Sequence, residues 1–239
     1  MGKKFIIIAG PCLAESEEIV AQTAEHLSQI ARKYNFDYYY KASFRKANRT
    51  SINSFQGVGD EIALEWISKY CSKYVLKSLT DIHSPDNAQL AAKYVDVLQI
   101  PAFLSRQTDL LIAAGNTGKT VNIKKAQFMA PKDAIKAAEK VISTGNKQVW
   151  LTERGTFFGY HDLVVDMRSL IVMKSSGLPV IYDATHSLQQ PSIGEQSGGF
   201  RQYIKSLARA AVAVGVDGVF FETHPQPEKA KSDSATQIK

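Results

Sequence analysis

Short apolar runs recur along the chain at FIIIAG (5–10), YYYKASF (38–44), VLKSL (75–79), VDVLQI (95–100), TVNIK (120–124), QVWLT (148–152), PVIYDA (179–184) and GVFFE (218–222). Several are almost continuously apolar, as parallel strands covered on both faces are, rather than alternating as a half-exposed sheet would be. Between them the apolar positions switch to a helical period. Ile19, Val20, Thr23, Ala24, Leu27, Ile30, Ala31 and Tyr34 share one helix face, with Ser16 as the N-cap and Glu17 and Glu18 in the first turn. Ser84-Pro85-Asp86 reads as a cap followed by proline at the first helical position, and Pro131 starts another helix in the same way. Phe200 to Val214 is amphipathic and alanine-rich, with Gly215 placed to end it.

Eight strands alternating with helices predict a (β/α)8 TIM barrel, with a doubly wound open sheet as the alternative. No linker or low-complexity stretch divides the chain, so residues 1–239 are expected to form a single catalytic-barrel domain. After the last strand only PQPEKAKSDSATQIK remains, too short for a loop plus a full helix, so the closing helix is expected to be short or absent. Ser187 to Gly199, with Pro191, Gly194, Gly198 and Gly199, is expected to be a long mobile loop.

Composition narrows the class. The 44% hydrophobic content supports a large core, and the apolar runs are too short to cross a bilayer. No signal-peptide pattern precedes the first strand, which gives an expectation of a cytoplasmic protein with no membrane partner. With two cysteines, Cys12 and Cys71, a disulfide scaffold is not expected and a reducing compartment is. The net charge of +6 suits an anionic partner, but no basic-aromatic repeat or nucleic-acid motif accompanies it.

In a barrel, chemistry sits where strands end and loops begin. Cys12, His186 and Glu222 each lie just past an apolar run, and Asp233 follows near the C-terminus. Closure makes the first and last strands neighbours, which brings these four to one rim. A thiolate, an imidazole and two carboxylates suit a divalent transition metal. Taken singly, Cys12 would be a buried small hydrophobe and His186 a hydrogen-bonded core residue. Basic residues also gather at strand ends: Lys41, Lys46, Arg49, Arg106, Lys124 and Arg154. Such a ring suits a ligand carrying more than one phosphate or carboxylate. His26 reads as a surface residue of the first helix and Cys71 as a structural one.

The segments IAGPCLAES, KASFRKANRTS, LQIPAFLSRQTDLL, NIKKAQF, ERGTFFGYHDLVVDMR, DATHSLQQP and ETHPQPEKAKSD follow in order. Together they resemble the 3-deoxy-D-manno-octulosonate 8-phosphate synthases over essentially the whole chain. The resemblance implies a homotetrameric (β/α)8 barrel. It also implies condensation of phosphoenolpyruvate with arabinose 5-phosphate, with release of phosphate, for lipopolysaccharide biosynthesis. Cys12, where the metal-independent class has asparagine, implies the metal-dependent class, with His186, Glu222 and Asp233 as the other ligands. Iron, zinc, manganese and cobalt all suit that set. By the same resemblance Lys124 and Arg154 clamp the phosphate of phosphoenolpyruvate. Ser43, Lys46 and Gln99 lie near its carboxylate and reacting end, and Asn48, Arg49 and Thr50 take the sugar phosphate. Arg106 reaches that phosphate in a neighbouring subunit. Lys41 and Asp81 contact sugar hydroxyls or the aldehyde, and His83 positions water or substrate. His161 and His224 flank the motifs.

Two other functions fit part of this pattern. One is a 3-deoxy-arabino-heptulosonate 7-phosphate synthase using erythrose 4-phosphate. The other is a non-catalytic sugar-phosphate-binding barrel. KANRTS (46–51) favours the arabinose 5-phosphate type. Ser234 stands where the family commonly has glycine, a residue suited to a positive φ in the Asp233 loop.

Overall fold

A computed structural model describes residues 4–48, 53–190 and 198–239. Arg49 and Thr50 lie outside the described residues. Eight parallel strands close into a barrel: β1 (Ile6–Gly10), β2 (Asp37–Lys41), β3 (Lys77–Asp81), β4 (Val97–Ile100), β5 (Thr120–Lys124), β6 (Val149–Glu153), β9 (Val180–Asp183) and β12 (Gly218–Glu222). β1 pairs with both β2 and β12, with Gly10 opposite Glu222, so the two ends of the sequence are neighbours. Two short ribbons stand outside the barrel: β7 (Thr156–Gly159) with β8 (Asp162–Val164), and β10 (Gln189–Gln190) with β11 (Gly198–Gly199).

The helices are α1 (Glu17–Lys33), α2 (Asp60–Tyr74), α3 (Pro85–Ala91), α4 (Thr108–Asn116), α5 (Pro131–Ile142), α6 (Met167–Lys174) and α7 (Ile204–Val214). Their starts follow local chemistry. Ser16 Oγ accepts the Ile19 N–H at 3.2 Å, a cap that contributes about 1 kcal/mol. Ser84 caps α3 with Pro85 in its first turn, and Pro131 opens α5. Gly215 ends α7 in the left-handed conformation, φ +97°.

Period-2 alternation sorts each barrel strand into two faces. Ile6, Ile8, Tyr39, Leu79, Val97, Trp150, Ile181 and Phe220 form the barrel interior, with Tyr39 and Trp150 in edge contact at 4.9 Å. The other face joins the helices in the larger outer core. Two residues further along the interior parity, at the C-terminal strand ends, the same positions turn polar: Lys41, Asp81, Gln99, Thr152, Asp183 and Glu222, all buried.

Some expectations need correction. The strand expected at 75–79 runs from Lys77 to Asp81, because Val75 ends α2 in the left-handed conformation (φ +58°) and is 89% exposed. The strand expected to reach residue 44 ends at Lys41; Ser43 keeps one bridge, to Leu13. α7 begins at Ile204, after a 3-10 turn at Arg201–Tyr203. The expected Ser187–Gly199 loop begins with a 3-10 turn at His186–Leu188 and is closed at its base by the β10–β11 ribbon. The β7–β8 hairpin has no counterpart among the expected strands. After β12 the described residues form a 3-10 turn at Pro227–Lys229 and a bridge from Thr223 to Ile238, with no α-helix among them.

Candidate active site

Barrel closure brings the β1–α1 loop against the segment after β12. There the Cys12 sulfur lies 3.0 Å from Ser232 Oγ and 3.1 Å from Asp233 Oδ2. Ligand atoms of Cys12, Glu222 and Asp233 all fall within 4.8 Å of one another. His186, on the turn after β9, points Nε2 at Glu222 Oε1 (3.4 Å) and Asp233 Oδ2 (3.8 Å). Its Nδ1 lies 2.8 Å from Asp183 Oδ2. That contact fixes the ring with Nε2 toward the two acids, the orientation a metal-ligating histidine takes. The four residues thus meet as expected, with His186 at the edge of the tighter group of three.

The surroundings suit a cation. Burial pushes the Cys12 thiol up, and the carboxylates of Asp233 and Glu222 push it further. Burial would also raise Glu222, yet His186, Lys41 and Lys46 outweigh it and hold this acid below the usual range. Glu222 Oε2 is buried with no hydrogen-bond partner among the described residues. A buried, ionised oxygen without a donor is costly, and a bound divalent ion would satisfy it. Asp233 itself adopts φ +48°, and Ser234 is not among the positive-φ residues. The left-handed position therefore falls on an aspartate, which tolerates it better than most residues, rather than on Ser234.

A continuous polar chain lines the rim. Thr152 donates to Asn122 Oδ1 at 2.7 Å, Asn122 to Gln99 Oε1 at 2.9 Å, and Gln99 to Asp81. Ser43 also donates to Asp81. Lys41 Nζ reaches Cys12 O (3.0 Å), Ser43 Oγ (3.0 Å) and Glu222 Oε1 (3.1 Å). Burial opposes the ionised form of Asp81, but Lys41, Lys46 and His83, with the Ser43 hydroxyl, hold it well below the carboxylate range. Burial would lower Lys46, but the negative groups around Cys12, Glu222, Asp81 and Asp233 raise it.

Across the barrel Lys124 pairs with Asp183 and sits 3.7 Å from the Phe220 ring centroid. Burial lowers Lys124, and Asp183 offsets part of that. Arg154, also buried, gives Nη2 to Gln189 Oε1 at 3.1 Å, while its Nη1 has no partner among the described residues. An unsatisfied guanidinium nitrogen at a strand end is a ready contact for an anion. His83 packs edge-on against Phe44 at 5.6 Å, and its Nδ1 is likewise unpaired among the described residues.

Not every expected residue joins this group. Asn48 and Arg106 are exposed, with Arg106 just ahead of α4. Arg49 and Thr50 fall outside the described residues. Asp183, which orients both His186 and Lys124, has no role in the sequence reading. Its place at the end of PVIYD, matching that of Lys124 in TVNIK, is the available signal. Lys125 and Glu153 form another buried pair at 3.4 Å on the outer face, where Glu153 also takes the Ser169 hydroxyl.

The sequence model of the DAHP synthetase I family matches residues 1–239. Among known proteins, the chain is 51% identical to the 2-dehydro-3-deoxyphosphooctonate aldolase of Desulfatibacillum aliphaticivorans, over all of this chain and 88% of that one. It is 51% identical to the protein of the same name from Syntrophotalea carbinolica, over 97% of this chain and 84% of that one. The Francisella tularensis subsp. holarctica protein of that name is 49% identical, over 97% of this chain and 85% of its own.

Proposed function

The chain belongs to the DAHP synthetase I family, and from that premise we propose that it condenses phosphoenolpyruvate with D-arabinose 5-phosphate and water. The products are 3-deoxy-D-manno-octulosonate 8-phosphate and inorganic phosphate. The name shared by relatives about half identical over nearly the whole chain selects this reaction over the seven-carbon one. The observation that carries it is the meeting on one rim of Cys12, Glu222 and Asp233 with the buried cations Lys41, Lys124 and Arg154.

In this reading C3 of phosphoenolpyruvate forms a bond to the aldehyde carbon of the sugar. The oxygen of water bonds to C2, and the resulting hemiketal phosphate loses phosphate by C–O cleavage. Arg154 and Lys124 hold the phosphate of phosphoenolpyruvate. Ser43, Lys46 and Gln99 surround its carboxylate and reacting end. Asn48, Arg49 and Thr50 take the sugar phosphate, and Lys41, Asp81 and His83 orient the sugar or the water. Cations that offset the repulsion of two anionic substrates and fix their order supply much of the rate through orientation. A divalent ion held by Cys12, His186, Glu222 and Asp233 would supply Lewis-acid polarisation of an oxygen.

The assembly belongs to the same proposal: a cytoplasmic homotetramer in which exposed Arg106 reaches a neighbouring site. Among the described residues no helix is long and apolar enough to cross a membrane. The test is phosphate release from the two substrates after chelation and after add-back of divalent metals. Loss with chelator and recovery with metal is the expected result. Faster turnover with erythrose 4-phosphate would transfer the assignment to the heptulosonate reaction, and no turnover with any metal would overturn it.

A further inference from the structure

A second buried polar cluster joins the same two ends of the chain, just outside the candidate active site. Glu15 lies in the β1–α1 loop three residues after Cys12, and His224 lies two residues after Glu222; they are 9% and 4% exposed. His224 Nδ1 accepts the Gln226 N–H at 3.0 Å. The imidazole proton therefore sits on Nε2, which donates to Glu15 Oε1 at 3.2 Å. Glu15 Oε2 accepts the Lys231 N–H at 2.9 Å.

One carboxylate thus ties down both ends of the 224–233 segment. The start is held through the His224 imidazole and the end through the backbone two residues before Asp233. The same carboxylate belongs to the loop that carries Cys12. Glu15 and His224 also line a groove with Glu18, Gln22, Gln226 and Lys229, none of which the proposed reaction employs. The reaction as proposed uses neither group. Burying a carboxylate and an imidazole is costly unless both are fully hydrogen-bonded, and here each hydrogen bond fixes the backbone that presents a metal ligand.

We propose that Glu15 and His224 are positioning residues that set the separation of Cys12 and Asp233, and through it the affinity of the metal site. This rests on the metal-site reading of Cys12, Glu222 and Asp233 and not on the identity of the substrates. Groups that orient metal ligands from behind typically change metal affinity by about 10- to 100-fold when removed.

The experiment is titration of the full-length, metal-stripped protein with Co2+, read by the thiolate-to-cobalt absorption band. Glu15→Ala and His224→Ala are each expected to weaken Co2+ binding by about 10- to 100-fold. The double variant is expected to bind no worse than the weaker single one, because both act through one fixture. His224→Gln, whose amide N–H still reaches Glu15, should recover most of the affinity. If the alanine variants do not fold, Glu15→Gln replaces them: its amide N–H2 faces the His224 N–H, so affinity should still fall. Folded variants that lose thermal stability but bind Co2+ like the parent would overturn the proposal, as would strictly additive losses. A parent protein with no thiolate band would overturn the metal site and this inference together, whatever the phosphate-release assay shows.

Discussion

The sulfur of Cys12 lies 3.1 Å from Asp233 Oδ2, although 221 positions of chain separate the two residues. Sequence proximity plays no part: the pairing of β1 with β12 brings their two segments together, and Glu15 ties the one to the other. A neutral thiol can donate to that carboxylate, whereas a thiolate beside it needs a cation. Cys12→Ala removes the soft ligand and leaves two carboxylates and an imidazole, a weaker set for a transition metal. Metal-supported turnover should fall by about 100-fold or more, with bound metal lost to the same degree. Metal content measured alongside phosphate release checks this, and full activity in a metal-free variant would refute the assignment.

The same thiol gives the metal site a pH dependence. Burial, then Asp233 and Glu222, raise Cys12 in the metal-free protein, so it carries its proton through the neutral range. Ligation requires the thiolate, so each ion bound releases that proton. The sign follows: affinity is weaker at low pH and rises with pH until the thiol's own pKa is passed. From about pH 7 to pH 8 the Kd should tighten about tenfold. Calorimetric titration in two buffers of different ionisation enthalpy would count the proton directly.

Much of this is legible in the sequence because barrel strands alternate faces. Ile8, Gly10 and Cys12 share one parity, as do Phe220 and Glu222, and Trp150, Thr152 and Arg154. The apolar-to-polar switch at each strand end therefore marks the rim in the sequence itself. Other features lie beyond reach of that pattern. Val75 is β-branched and reads as strand, but it closes α2 because the helix needs a left-handed terminus there. The β7–β8 hairpin turns through Tyr160 and His161, and His161 adopts φ +57° without the glycine that usually signals such a turn. Asp183 obeys the pattern, but its role is hidden because its work is indirect: it holds His186 and Lys124 rather than offering a ligand of its own.

Arg154 provides a test of the anion site. One of its terminal nitrogens is committed to Gln189 and the other is unpaired among the described residues. A planar fork can hold Gln189 and a phosphate oxygen together, and a lysine ammonium cannot do so in the same geometry. Arg154→Lys should therefore lower kcat/KM for phosphoenolpyruvate by about 100-fold, near 2.7 kcal/mol, within the cost of truncating a buried charged contact. KM for arabinose 5-phosphate should move much less. Equal losses for both substrates would place the defect in general packing.

Gly10 joins the fold to the chemistry. A Cβ at this position would lie 3.0 Å from the Lys41 backbone nitrogen and would overlap the Lys41 carbonyl oxygen. Both atoms belong to β2, the strand next to β1, so no side chain can rotate away. Relief requires the strands to part, and that shifts Lys41, whose ammonium bridges Ser43 and Glu222. Gly10→Ala should cost about 3 kcal/mol or more, the upper range for overpacking. In a chain of this size that lowers Tm by about 6–12 °C. Below its Tm the folded variant should also bind divalent metal more weakly, because Glu222 loses its fixed partner. Scanning calorimetry and a metal titration on the same preparation separate the two effects, and unchanged Tm and affinity together would show that the strands yield without cost.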